Sequence, residues 1–211
     1  MSKKVLIISS SLRGGSNSEC LARECERGAK DAGHDVQFIS LKGKELKFCI
    51  GCLSCQETGK CVLKDDAADI MAAVYNAEVI VFATPIYYYE MCGQLKTLLD
   101  RMNPLFPSDY KFRDIYMIAT ATEDEPTTFD KAYNGLLGWV DCFEKASLKG
   151  IVTGGGISEA NAAPKHADVM KKAYELGNKL SYQEVNNNGK NSTDGRQKRS
   201  RRVRPGVCTL Q

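Results

Sequence analysis

Four cysteines, Cys49, Cys52, Cys55 and Cys61, fall within thirteen residues in the stretch CIGCLSCQETGKC. Thiolate sulfur is both a nucleophile and a metal ligand. Three cysteines at steps of three, with a fourth soon after, can close four sulfurs around a compact cubane. Structural zinc more often takes two cysteine pairs set further apart. Zinc, a redox-active pair and free thiols packed against the domain are the other readings of the same spacing.

A second stretch suited to chemistry lies near the start, KVLIISSSLRGGSNS over residues 4–18. Val5 to Ile8 is an unbroken apolar run, the mark of a strand covered on both faces. Small and polar residues follow at once, and a helical pattern begins at Ser18. Buried strand, small-residue loop and helix N-terminus in that order aim free backbone N–H groups and a positive dipole end at one point. A phosphate fits there. Ser10, Ser11, Arg13, Ser16, Asn17 and Ser18 supply side-chain donors. The loop has neither GxGxxG nor GxxxxGK[ST], so it suits a monophosphate held mainly by neutral donors.

The elements that must position these residues alternate along the chain. Strands are predicted at Val36–Ile39, Val79–Ala83, Ile115–Ala121 and Leu148–Thr153, in addition to Val5–Ile8. Helices are predicted from Ser18 to Gly33, from Asp65-Asp66, from Gly93 to Met102, from Pro126 to Val140 and from Ala163 or Pro164 to Leu180. Such alternation with short links predicts an α/β fold, a three-layer sandwich with a five-stranded parallel sheet and helices on both faces. The expected strand order is the flavodoxin-like 2-1-3-4-5. Ligands then bind beyond the carboxyl ends of the strands, at the switch point between strands 1 and 3. Three loops are expected to meet there: Ser9–Ser18, the proline-stiffened aromatic Thr84–Tyr89, and Thr120–Pro126. Together they suit a flat heteroaromatic ligand with a phosphate tail.

The stretches SSLRGGSNS, TPIYY with QLKTLLDR downstream, and ATATED resemble the NADPH-dependent FMN reductase and iron–sulfur flavoprotein group. The resemblance covers about residues 4–180. It implies FMN as cofactor, with Ser11, Arg13, Ser16, Asn17 and Ser18 on the phosphate. It implies Pro85, Ile86, Tyr87 and Tyr88 along the isoalloxazine, with Ala121 and Thr122 closing the other side. It also implies a [4Fe–4S] cluster on Cys49, Cys52, Cys55 and Cys61. The activity implied is an oxidoreductase that passes electrons from NAD(P)H through FMN to a small acceptor such as a quinone or flavin. An electron carrier between protein partners, with or without a cluster, is the alternative, and a thiol-based redox sensor is a third. The flavin carries such chemistry, so no catalytic side chain is assigned.

Composition narrows the setting. The chain has 211 residues, 43% hydrophobic content and a net charge of +3. Seven Lys/Arg and two Asp/Glu fall in Gln183–Gln211, a net of +5, so the first 182 residues carry −2. That body gives no electrostatic case for nucleic acid. Residues 1–182 are expected to form the FMN-binding domain, and 183–211 a basic, disordered tail. No apolar run suggests a leader or a membrane span. Nine cysteines, an odd number, fit a reducing cytoplasm. Cys20, Cys25, Cys92 and Cys142 are expected to be small buried hydrophobes. His34 and His166 are expected at the surface. Leu105, Phe106, Tyr110 and Phe112 are expected to offer the apolar surface of a homodimer or homotetramer.

Overall fold

The computed structural model describes residues 1–180; the basic segment from Gln183, and the domain boundary placed before it, lie outside the described residues. Five strands run parallel: β1 (Lys4–Ser9), β2 (Asp35–Ser40), β3 (Val79–Tyr87), β5 (Asp114–Thr120) and β6 (Ser147–Gly154). Their order is β2-β1-β3-β5-β6, which is the expected flavodoxin-like order. A sixth strand was not expected. β4 (Glu90–Met91) turns back antiparallel on the end of β3, pairing Ile86 with Met91 and Tyr87 with Glu90.

Alternation along the buried strands divides the core. Val5 and Ile7 face α1 (Asn17–Asp31) and α6 (Ala167–Asn178), in a cluster with Leu21, Cys25, Val169 and Ala173. Leu6, Ile8, Ile80 and Phe82 face the other side. There they meet Ile70 and Val74 of α3 (Ala67–Asn76), Leu95 and Leu98 of α4 (Gly93–Arg101) and Leu136 of α5 (Asp130–Val140). The α1–α6 contact is close because two glycines allow it. A Cβ on Gly28 would lie 2.1 Å from the Tyr174 carbonyl oxygen, and one on Gly177 would lie 2.0 Å from that of Cys25.

Several sequence expectations are corrected by packing. The aromatic segment Thr84–Tyr87 continues β3 rather than forming a loop, because its backbone pairs with β5 as far as Pro85–Thr120 and then with β4. In the segment after α4, Leu105, Tyr110 and Phe112 are core residues. Tyr110 stacks on Phe112 with ring centroids 4.3 Å apart, and both meet Phe143. Of the four apolar residues assigned there to an oligomer surface, only Phe106 is exposed. His34 is buried rather than at the surface, and its Nδ1 accepts a hydrogen bond from the Lys3 backbone. The helix expected from Pro126 begins at Asp130, and a short 3-10 turn, Ala163–Lys165, precedes α6. Cys25 and Cys92 are buried, whereas Cys20 is only partly so. Cys142 packs at the edge of the larger core. No helix among the described residues is long and apolar enough to cross a membrane.

Candidate functional site

Ser9 ends β1, and the chain then bends through Ser16, which caps α1 by accepting a hydrogen bond from Glu19 N. Gly15 makes the turn with φ +67°, and its carbonyl accepts from Asn161 N at 2.9 Å. A Cβ at Gly15 would lie 2.6 Å from the Asn161 side chain, which would have to shift, and the positive φ itself favours glycine. Among the described residues, the backbone N–H groups of Gly15, Ser16, Asn17 and Ser18 have no acceptor. Those of Asn17 and Ser18 are the free donors of a helix N-terminus, and Gly15 and Ser16 lead into it.

An open cleft lies at Ser16 and Asn17 of this terminus. It is lined by Ser11, Arg13, Ser16, Asn17, Pro85, Ile86, Tyr87, Ala121 and Thr122, nine of the twelve residues expected to bind a cofactor. Tyr88 lines an adjoining hollow with Tyr89, Glu123 and Thr128. The two spaces share Ile86, Ala121 and Thr122, so one ligand can span both.

Ser10 and Ser18 stand apart from the cleft wall. The Ser10 backbone N–H and hydroxyl both donate to the Ala83 carbonyl, at 2.9 and 2.8 Å, and the Cys92 thiol lies 3.1 Å from its Oγ. Ser10 therefore ties the loop to β3 and α4. The Ser18 hydroxyl lies 3.1 Å from that of Ser16 and supports it from behind. Asn17 lines the cleft, yet its side-chain amide is spoken for. Its Nδ2 donates to the carbonyls of Ile157 and Glu159, and its Oδ1 accepts from Ala162 N and Ala163 N. Asn17 thus fastens the loop after β6 to the start of α1. Arg13 reaches the same loop, donating from Nη1 to the Ser158 carbonyl at 2.8 Å.

Sequence reasoning missed Ile157 and Ser158, which complete the cleft beside Thr120 of the expected third loop. The available signal was Gly154-Gly155-Gly156 directly after the last strand. Gly155 packs so tightly on the third loop that a Cβ would meet Asp124 Oδ1 at 2.0 Å. It also missed the form of the aromatic segment. Tyr88 and Tyr89 make the β3–β4 turn with φ of 52° and 67°. Left-handed backbone at both central turn positions normally calls for Asn and Gly. The Tyr89 hydroxyl donates to Glu123 Oε2 at 2.7 Å, bridging the second and third loops, and this bond raises the tyrosine's pKa.

The four cysteines of the compact motif do not converge as expected. Among the described residues, no three His, Cys, Asp or Glu side chains form a group that could hold a metal ion. Cys52 is exposed just before α2 (Ser54–Thr58), and hydrogen bonds from the Ser54 backbone and side chain lower its pKa. Cys55 is buried, and burial raises its pKa, with the Asn103 hydrogen bond opposing and the Cys61 and Cys49 charges adding. The surroundings nevertheless suit sulfur carrying negative charge. Asn103 Nδ2 donates to Cys55 Sγ, and Arg101 Nη2 to Cys61 Sγ, each at 3.4 Å.

The family model for NADPH-dependent FMN reductase matches residues 3–127. The chain belongs to that family. Within and around the FMN reductase family, an iron-sulfur flavoprotein of Methanocaldococcus jannaschii is 41% identical over 102 residues, 48% of this chain and 53% of the relative. An iron-sulfur flavoprotein of Archaeoglobus fulgidus is 30% identical over 102 residues, 48% of this chain and 46% of the relative. The chain thus spans about half the length of the curated relatives it matches. Among solved structures, an NAD(P)H:quinone oxidoreductase from Methanothermobacter marburgensis superposes with TM-score 0.69 at 15% identity, covering 87% of this chain and 98% of that one. This likeness establishes the flavodoxin-like fold of this FMN reductase family member.

Proposed function

We propose that residues 1–182 bind FMN in the paired cleft and pass electrons from NAD(P)H to a small acceptor such as a quinone or flavin. The observation that carries this reading is the meeting of the segments after β1, β5 and β6 with the end of β3 at the open N-terminus of α1. The fit to FMN is chemical at both ends. The phosphate end has backbone donors, the Ser11 and Ser16 hydroxyls and the Arg13 guanidinium. The ring end has the edges of Pro85, Ile86, Tyr87 and Tyr88, faced by Ala121 and Thr122. Thr128 adds a buried hydroxyl with no partner among the described residues, a polar handle beside that hollow.

Bound FMN supplies the two-electron chemistry, accepting hydride from a nicotinamide and yielding electrons to an acceptor. The protein's part is to hold the phosphate, orient the ring and leave one face open. Ser10 and Asn17 act indirectly, fixing the first loop against β3 and against the loop after β6. No side chain is required to move a proton. The test is oxidation of NADPH or NADH by FMN-loaded protein with a quinone present. Steady turnover supports the reading, and a flat trace with both nicotinamides sinks it.

The second reading is an iron–sulfur flavoprotein that carries electrons between proteins. It is favoured by the N–H donors on the Cys55 and Cys61 sulfurs and by the likeness to iron-sulfur flavoproteins. Cys49, Cys52, Cys55 and Cys61 would hold the cluster. A cytoplasmic homodimer or homotetramer fits either reading. Its apolar surface would come from Phe48, Ile50 and Val62 of the cysteine segment, which are 78%, 67% and 54% exposed.

A further inference from the structure

Thr128 stands between the third loop and α5 with a hydroxyl that the fold does not use. The residue is 1% exposed, and its Oγ1 is buried with no hydrogen-bond partner among the described residues. Its backbone is settled independently, the N–H donating to the Glu125 carbonyl at 3.0 Å. A buried hydroxyl left unpaired costs stability, and valine would fill the same β-branched shape without that cost. Packing therefore does not explain the oxygen. Its place does. Thr128 lines the hollow at the ring end of the cleft, whose apolar walls are Ile86, Tyr88 and Ala121. A second polar group is fixed in the same hollow, since the Tyr89 hydroxyl donates to Glu123 Oε2 at 2.7 Å and so holds that carboxylate. The Thr128 hydroxyl has no bond to lose when it turns about χ1 toward a bound group.

We propose that Thr128 is a specificity-determining residue that donates its hydroxyl to a ring carbonyl of the bound flavin. The inference rests on the FMN reading above and adds to it which edge of the ring the hollow takes. Isoalloxazine is polar along one edge, where two carbonyls flank an imide N–H, and apolar along the other, a dimethylbenzene. A hydroxyl donor and a fixed carboxylate in one hollow match the polar edge. The hydroxyl gives to a carbonyl, and a Glu123 oxygen takes from the imide N–H. A ring turned the other way would leave the hydroxyl unpaired and set methyl groups against Glu123. The empty hollow thus carries an unpaired group that the ligand satisfies, so the oxygen serves binding at the expense of the apoprotein's stability.

The test compares Thr128→Val with the parent full-length apoprotein, by fluorescence titration with FMN and with riboflavin and by thermal melts without flavin. Thr128→Val is expected to weaken both flavins by the same factor, about tenfold, the worth of one hydrogen bond to a buried group. The preference for FMN over riboflavin stays that of the parent, because the phosphate is held at the other end of the cleft. The melting temperature of the apoprotein holds or rises, since an unpaired buried hydroxyl has gone. Thr128→Ser keeps the donor and binds both flavins as the parent does. If Thr128→Val lacks the circular dichroism of the folded chain, Thr128→Ala against Thr128→Ser decides. Unchanged flavin affinity in the folded variant, or a loss confined to FMN, overturns the proposal and leaves the FMN reading standing. A Thr128→Val apoprotein that melts lower than the parent overturns it as well, because the hydroxyl would then have its partner within the fold. Failure of the parent to bind either flavin overturns the FMN reading and the proposal together.

Discussion

At the scale of single residues, burial and partner set the behaviour of each group. His34 is 7% exposed, and its Nδ1 is an acceptor for Lys3 N, so its neutral form is the one the fold accommodates. Burial lowers its pKa, the Lys3 and N-terminal charges lower it further, and Glu78 opposes them. A folded-state pKa below the unfolded value means that the unfolded chain takes up the proton first. The stability due to His34 is complete above about pH 6.5. It is lost as pH falls from there through the depressed folded value. His34→Gln should flatten that part of the curve, measured as urea midpoint against pH, and parallel curves for the two chains would refute this. Cys25 shows the same logic in a thiol. Burial, aided by Glu26, pushes it up to about 12, so it packs as an inert apolar side chain. Asp65 is the opposite case. Burial alone would raise its pKa, but hydrogen bonds from Arg101, Lys47 N and Ala67 N outweigh that and lower it. Removing its charge by Asp65→Asn leaves Arg101 buried and unpaired, at a cost of about 3–5 kcal/mol. Denaturant melts of the variant measure it.

At the scale of elements, the β3–β4 hairpin stores strain beside the ring end of the cleft. Each non-glycine residue in left-handed backbone costs about 1–3 kcal/mol, and the turn contains Tyr88 and Tyr89 in succession. Tyr88→Asn should therefore stabilise the chain by about 1 kcal/mol, since Asn tolerates that conformation. It should also weaken FMN binding by removing an aromatic edge from the hollow. A variant that is less stable, or that binds FMN as before, would contradict the assignment. This hairpin was not legible in the sequence, because two-residue turns of its type announce themselves by Asn and Gly. The phosphate loop was legible, since strand, small-residue loop and helix start are contiguous in the chain. Ile157 and Ser158 were not, as ordinary residues brought to the cleft only by the packing of Gly155 on Asp124 and by the grip of Asn17. Leu105, Tyr110 and Phe112 lie in a segment without periodicity, so nothing local marked them as core.

At the scale of the whole molecule, the parallel sheet brings the ends of β1, β3, β5 and β6 to one cleft and leaves the cysteine segment beside the end of α4. The alternation of elements made this order readable, because the chain can cover both faces of such a sheet in few ways. If residues 1–182 are the complete FMN-binding unit, truncation after Tyr182 leaves FMN affinity unchanged. Loss of FMN from the truncated chain would move part of the site into the basic segment. The central claim is that the cleft recognises a phosphate joined to a flat ring. The measurement that tests it most directly is fluorescence titration of the apoprotein with FMN and, separately, with riboflavin. The account predicts saturable quenching with FMN, and riboflavin binding weaker by about a hundredfold or more, since several charge-assisted bonds are lost. Equal affinity for the two, or no binding of FMN, would contradict it.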